Sequence, residues 1–422
     1  MDARTYEDEL EPVGLIRQSG AVLALGRLSL SGGTGSYRVK ATMARAARAL
    51  GMDRHEAHVT LTEITATSHR GPIFRTEVTE MRKVGVNADR LMEIERFVSA
   101  LPAEASVEQL EEGVARIRDK DPLHRPWLNA ASAGVACAAF AFLNNGGPVE
   151  CAGVLVAAGL GQLLRRALLH RGMNQFAVTM LAAAVASALY LGLMTTLVAT
   201  GATAVNHEAA YVSAVLFLVP GFPLVTGALD LARLDFSAGV ARLTYALMVL
   251  VSAALAVWAV SALVGVAPDP VGPPDLPFVV LTALRLVASF LGVLGFAVMF
   301  NSPWRMAVTA ATVGMAANVV RLTLVGEGLA PQAGAALAAL LVGVVAAWAA
   351  PRIDVPRVTV YVPAVVIMVP GAAAYRAVYH LNSGATVEAL AYAVEAGLVV
   401  VALAIGLAVG RMLTDRSWLV ER

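Results

Sequence analysis

The sequence predicts an α-helical polytopic membrane protein: ten transmembrane helices forming two inverted five-helix repeats, with a small α+β soluble domain at the N-terminus. Three observations carry this prediction. Of 422 residues, 58% are hydrophobic and only 15% charged, where a soluble domain carries roughly a quarter. The charge is concentrated before Arg125, so the two parts of the chain face different solvents. Beyond Pro126 the sequence holds ten stretches close to the ~20 apolar residues that a spanning helix needs.

The soluble domain is expected over residues 1–125. Apolar residues at helical spacing (Leu15, Ile16, Val22, Leu23, Leu25, Leu28) predict a helix over 13–30, broken by Gly32-Gly33-Thr34-Gly35. Ser36 is placed to cap a second helix over 37–50, which stops at Gly51. Residues 58–67 are rich in Val, Ile and Thr and read as one strand, Gly71-Pro72 as a turn, and 74–84 as a second strand. Asn87 caps a helix running to about Leu101, and Ser106 opens another. Glu108 and Glu111 near its start and Arg116 and Arg118 near its end suit the helix dipole. The glycine-rich stretch follows a helix and lacks a following Gly-Lys-Ser/Thr, so it is no phosphate loop. His55, His58 and His69 read as surface histidines, and Cys137 and Cys151 as small buried residues. No metal site, disulfide framework or cofactor is expected, and no basic run suggests nucleic acid. Residues 1–11 are acidic without an apolar core, so no signal peptide is expected.

The candidate spans are roughly 127–143, 147–165, 174–199, 208–228, 236–265, 277–300, 304–325, 331–350, 356–379 and 385–412. An even number puts both termini on one side. With the N-terminus cytoplasmic, the cytoplasmic connections hold Arg165, Arg166, Arg171, Arg233, Arg305, Arg352 and Arg357, and the tail adds Arg411, Arg416 and Arg422. The opposite turns hold no Lys or Arg, as the positive-inside rule requires. Arg321 and Arg376 are exceptions near outer helix ends.

Leu218-Val219-Pro220-Gly221 recurs as Met368-Val369-Pro370-Gly371, and Ala139 to Asn144 resembles Gly295 to Asn301. Repeats are thus expected over 126–270 and 271–422. Five helices is an odd number, so the second copy enters the membrane upside down. Pro220, Gly221 and Pro223 interrupt helix 4, and Pro363, Pro370 and Gly371 interrupt helix 9. Proline removes a backbone donor, and in lipid the freed carbonyls need a partner, which a substrate, water or ion can supply. Paired interruptions in inverted repeats mark many secondary transporters. Candidate substrate contacts are Pro220, Gly221, Pro223, Thr226, Pro370, Gly371, Tyr375, Arg376, Arg285 and Asn301. Arg376 and Arg285 either meet a substrate carboxylate or form structural ion pairs. Glu395, within helix 10, either carries a coupled proton or pairs with an arginine. Asp230, at the inner end of helix 4, is a proton-coupling candidate or a solvated helix-end charge.

Along nearly the whole chain, from about Leu15 to Leu413, the sequence resembles the threonine/serine exporter family. Leu25-Gly26-Arg27-Leu28-Ser29-Leu30-Ser31-Gly32-Gly33 is similar to that family's soluble-domain opening. Val219-Pro220-Gly221-Phe222-Pro223-Leu224 with Ala228-Leu229-Asp230 is similar to the first membrane module. Phe300-Asn301-Ser302-Pro303, Val362-Pro363 and Val369-Pro370-Gly371 are similar to the second. The second Val-Pro-Gly departs by continuing Ala372-Ala373-Ala374, so the two breaks are not chemically equal. The resemblance implies export of threonine and serine across a bacterial-type inner membrane, driven by the proton-motive force, without enzymatic chemistry. Relatives split into two chains imply succinate-type dicarboxylates as an alternative substrate. Expected partners are a small-molecule substrate, protons and the lipid bilayer, with a homo-oligomer left open. A membrane-anchored sensor or hydrolase is the reading from another class. No nucleophile elbow, metal constellation or nucleotide loop favours it, and ten helices exceed what an anchor needs.

Overall fold

The computed structural model of the chain describes residues 3–82, 84–202, 210–265, 272 and 274–419. The chain forms two compact units. One joins Met1–Leu123 to Thr226–Leu243; the other holds His124–Val225 and Thr244–Arg422.

The first unit begins with helices α1 (Ala3–Ser31) and α2 (Ser36–Ala49), followed by strands β1 (Arg54–Val59), β2 (Glu63–Arg70) and β3 (Ile73–Glu80). The single strand expected over 58–67 is instead the junction of a hairpin. Thr60 accepts at its Oγ1 from the Glu63 amide at 3.1 Å, and this Ser/Thr turn reverses the chain between β1 and β2. The three strands pair antiparallel in sequence order. The turn expected at Gly71-Pro72 joins β2 to β3, with Gly71 at φ +56° and its amide donating to Asp53 Oδ2 at 2.6 Å. Helices α3 (Ala88–Ser99) and α4 (Val107–Arg118) start as the sequence predicts. Asn87 Oδ1 accepts from the Arg90 amide, and Ser106 forms a reciprocal capping box with Gln109. One core holds the unit together: Leu15, Val22 and Leu25 of α1 meet Val39 and Met43 of α2, Ile64 of β2, and residues of α3 and α4. Arg38 and Arg45 converge on Glu95 at 2.8 and 2.9 Å. Burial pushes that carboxyl up, but the two guanidiniums outweigh it and hold Glu95 below the usual carboxylate range.

Ser36 does not cap α2. It is the first helical residue, and the cap position belongs to Gly35, which has no side chain to offer. The α2 N-terminus is satisfied from elsewhere, as described below.

Beyond α4 the described residues form helices and their connections. Among the described residues, eight helices are long and apolar enough to cross a membrane: α5 (Pro126–Leu143), α6 (Pro148–His170), α7 (Gln175–Ala199), α9 (Phe236–Val264), α10 (Phe278–Met299), α11 (Trp304–Gly326), α12 (Pro331–Arg352) and α15 (Thr386–Thr414). Two further spans result if each bent pair counts as one. The 3₁₀ helix Tyr211–Leu218 meets α8 (Gly221–Ala232) at 60°, and α13 (Val358–Val366) meets α14 (Gly371–Asn382) at 49°. The α8 helix lies after Pro220 and α14 after Pro370, so the chain breaks where the sequence places its Pro-Gly pairs.

Apolar surroundings offer no water to the last carbonyls of a helix. Helix after helix meets that need with a left-handed residue that folds the next amide back. Asn145 (φ +71°) after α5 matches Asn301 (φ +59°) after α10, and Gly172 (φ +74°) after α6 matches Gly328 (φ +98°) after α11. Leu234 (φ +60°) after α8 likewise matches Gly384 (φ +83°) after α14. The returning bonds recur too: Asp235 N–H to Asp230 O and Ala385 N–H to His380 O are both 2.9 Å.

Small residues allow a close contact between α12 and α15. On α15, a Cβ at Gly410 would lie 3.1 Å from Gly343 Cα and Leu340 O of α12, and one at Gly406 would collide with Ala336 O. Gly410→Val should therefore overpack this seam and cost about 1–3 kcal/mol. The expected result is a lower thermal midpoint in detergent. Gly192→Ala, where nothing lies within 4 Å of the added methyl, should leave that midpoint in place.

Candidate functional site

Both helix breaks are built alike, bond for bond. In the first, the Val219 amide donates to Leu216 O at 3.1 Å, Gly221 to Val219 O at 2.9 Å, and Leu224 to Pro220 O at 3.1 Å. In the second, Val369 donates to Val366 O at 3.1 Å, Gly371 to Val369 O at 2.8 Å, and Ala374 to Pro370 O at 3.0 Å. Pro370, at φ −80° and ψ 58°, is the centre of an inverse γ-turn. Proline favours that φ and has no N–H to lose. Each break therefore ends one half-helix and opens a new one, whose first amide, Gly221 or Gly371, is taken up by the carbonyl two residues back.

The two breaks also touch each other reciprocally. A Cβ on Gly221 would strike the Val366 side chain, and one on Gly371 would strike Leu216. Glycine is needed at both positions for this close approach, not for an unusual φ. Beside the second break lies a cavity of about 670 Å³, walled by aliphatic side chains of the 3₁₀ helix, α9, α14 and α15. Tyr375 and Thr386 supply the polar side chains of its lining. At this point the Tyr211 and Tyr375 hydroxyls hydrogen-bond, with their rings edge-to-face at 5.6 Å, and Ser261 Oγ is 3.3 Å from the Tyr375 hydroxyl. Of these three hydroxyl residues, Tyr375 lines the cavity. The remainder of the wall is apolar.

Buried side-chain amides accompany the breaks. Gln162 of α6 donates to Asn129 of α5 at 2.8 Å, and Asn129 donates to Met299 O at 3.1 Å. In α11, Arg321 Nε donates to Asn318 Oδ1 at 3.0 Å, and Asn318 donates to Ser289 Oγ at 2.9 Å. Among the described residues Arg321 has no carboxylate partner, which makes it a candidate anion contact.

A second group lies in the first unit. Asp230, on α8, is completely buried, so its reading as a solvated helix-end charge is wrong. Its Oδ2 is 3.0 Å from Nε of Arg242, which is 2% exposed and lies on α9. Its Oδ1 accepts from the Ser36 amide at 2.9 Å and lies 3.0 Å from Ser36 Oγ. Asp230 thus supplies the α2 cap that Gly35 cannot. A Cβ on Gly35 would lie 2.9 Å from the same oxygen, so glycine admits the carboxylate. Ser36 Oγ is also 2.8 Å from Asp235 Oδ2, and Lys40 pairs with the other oxygen of Asp235. Thr226 Oγ1 lies 3.5 Å from Arg242 Nη1, and His58 shares a hydrogen bond with Ser237.

The predicted residues therefore divide. Gly221 packs on Val366 and Gly371 on Leu216 at the paired breaks, and Pro370, Gly371 and Tyr375 line the cavity, whereas Pro220 and Pro223 are not part of its lining. Thr226 and Asp230 gather around Arg242. Asn301 is one residue from Phe300, whose ring stands edge-to-face on Phe222 at 4.9 Å. The Arg376 guanidinium is 5.8 Å from the Tyr392 ring. Arg285 is partly exposed on α10 and Glu395 is exposed on α15; among the described residues no contact joins either to these groups. Sequence reasoning missed Arg242. Its signal was an arginine six residues into an apolar helix, at a depth to meet Asp230 across a short turn.

The threonine/serine exporter family profile matches residues 21–264, more than half the chain, and a second profile, threonine/serine exporter ThrE, matches residues 285–413. The chain belongs to the threonine/serine exporter family. It is 25% identical over 380 residues to a probable threonine/serine exporter of Mycobacterium tuberculosis, covering 85% of this chain and 68% of that one. It is 30% identical over 239 residues to the probable succinate transporter subunit YjjP of Klebsiella aerogenes, covering 54% of this chain and 89% of that one. The Escherichia coli protein of that name is 31% identical over 244 residues, covering 55% and 91%. No solved structure matches. Membership of this transporter family agrees with a multi-pass membrane protein.

Asp230→Asn should leave Arg242 buried without a counter-charge, at a cost of about 3–5 kcal/mol. Adding Arg242→Met removes the second charge and should recover most of that loss. Thermal unfolding of the three proteins in detergent checks both steps.

Proposed function

We propose that the protein is a secondary active exporter of threonine and serine in a bacterial-type inner membrane, with both termini cytoplasmic. The paired, identically bonded breaks carry this reading in a chain of this family. Matching caps and breaks along the two halves support an arrangement of ten spans as two inverted five-helix repeats, 126–270 and 271–422, behind a domain over 1–125. The family profiles and the two breaks weigh against a hydrolase or sensor.

In this reading the substrate carboxylate sits at the half-helix amides that open after Pro220 and Pro370, where the helix dipole favours an anion. Gly221, Gly371, Pro223 and Thr226 shape that position, and the Tyr375 hydroxyl group contacts the substrate. Arg376, Arg285 and Asn301 are outlying contacts along the path. Rocking of one repeat against the other opens the breaks to each side in turn. Protons moving inward drive export: a potential of 100 mV supplies about 2.3 kcal/mol per charge, equivalent to a gradient of some fifty-fold. Asp230 and Glu395 are the carboxylates assigned to carry them.

A C4 dicarboxylate such as succinate is the second reading, favoured by the two relatives at 30–31% identity that carry that name. Half-helix amides and Arg321 could receive its second carboxylate.

Counterflow of labelled threonine, serine and succinate in proteoliposomes separates these readings. Threonine and serine exchange is expected, and exchange of succinate alone would select the second. Gly371→Val, which drives a side chain into Leu216, should lower counterflow at least ten-fold. Wild-type exchange in that variant would remove the breaks from the mechanism. Intact gradient-driven efflux in Glu395→Gln would remove Glu395.

A further inference from the structure

Ser36 stands between two carboxylates. Its Oγ is 3.0 Å from Asp230 Oδ1 and 2.8 Å from Asp235 Oδ2. A hydroxyl has one proton to donate, and an ionised carboxylate can only accept. With both aspartates ionised, Ser36 can fully satisfy only one of them. A single added proton completes the chain: one carboxylic acid donates to the Ser36 oxygen, and the Ser36 proton goes to the other carboxylate.

We propose that Asp230, Ser36 and Asp235 form a proton-binding site, and that its occupancy sets how firmly α2 of the N-terminal domain is capped by the broken helix. The inference rests on the transport reading above and gives the N-terminal domain a part in it. The groups around the site make it switchable. Arg242 from α9 faces Asp230, Lys40 from α2 faces Asp235, and the α2 N-terminus faces Asp230 through the Ser36 amide. Thr226 contacts Arg242, and His58 reaches Ser237 nearby. The three direct partners supply positive charge or an N–H to the carboxylates, and the shared hydroxyl has one proton for the two of them. Arg242 Nη2 is buried without a hydrogen-bond partner among the described residues. Arg242 Nε and Asp230 Oδ2 likewise lack a hydrogen-bond partner and face each other as an ion pair at 3.0 Å, so a proton on Asp230 weakens both the ion pair and the α2 cap together. The aspartate lies nine residues along α8 from Gly221, on the helix that the first break opens.

The test uses the full chain in nanodiscs and proteoliposomes. Hydrogen–deuterium exchange of residues 35–39, corrected for intrinsic rates, should show protection falling as pH is lowered. Asp235→Asn and Ser36→Ala should each shift the midpoint of that fall or abolish it. Gly35→Ala, which crowds Asp230 without changing charge, should lower protection at every pH. In proteoliposomes, Ser36→Ala should reduce efflux driven by a pH gradient at least ten-fold more than it reduces counterflow. Where Asp230→Asn alone fails to fold, the neutral pair Asp230→Asn with Arg242→Gln replaces it and should lack the pH response. Protection independent of pH in the wild type would overturn the site, as would a wild-type pH response in both Ser36→Ala and Asp235→Asn. Wild-type protein that transports none of the three substrates would overturn the transport reading instead, because the exchange measurement needs no substrate.

Discussion

Backbone hydrogen bonding in apolar surroundings constrains this chain more than any other interaction. Each helix that ends there must find donors for its last carbonyls and acceptors for its first amides. Left-handed residues such as Asn145, Asn301, Gly172 and Gly328 solve the first problem with returning amide bonds. Proline at the start of α5, α6 and α12 eases the second, since it has no N–H to satisfy. These devices let ordinary helices stop neatly. They also make the two breaks stand out, because there the chain turns within an apolar segment and the first amides of α8 and α14 bond back to the turn carbonyls.

The breaks and the Asp230 group answer the same constraint in different ways. At the breaks, inverse γ-turns at Pro220 and Pro370 satisfy the Gly221 and Gly371 amides within the turn. At α2, the missing acceptor comes from a carboxylate far away in sequence, admitted by Gly35. A helix terminus capped across such a distance links the fold of the N-terminal domain to the position of α8. That link is absent from any description of the domain as a separate head.

Much of the architecture was legible in residues. Pro-Gly pairs, the caps Asn87 and Ser106, and the turn at Gly71 each act within a few residues, so local chemistry fixes them. The hairpin between β1 and β2 was not legible. Thr60-Leu61-Thr62 has the β-propensity of a strand, and the turn is closed by the Glu63 amide donating to the Thr60 side chain and the Thr60 amide donating to Glu63 O. The candidate site was partly legible for the same reason. The breaks announce themselves by proline and glycine, whereas the reciprocal contacts of Gly221 with Val366 and Gly371 with Leu216 do not.

Sequence by itself determined the apolar helices, the charged N-terminal stretch, the broken helices and the family. These depend on composition, short motifs and periodicity, which need no knowledge of distant neighbours. Tertiary structure alone decided the partners. It buried Asp230, matched it to Arg242, placed Ser36 between two aspartates, and left Glu395 on the surface of α15. The physical reason is that a charge acquires its role from its desolvation and its nearest counter-charge, and both are set by which helices meet.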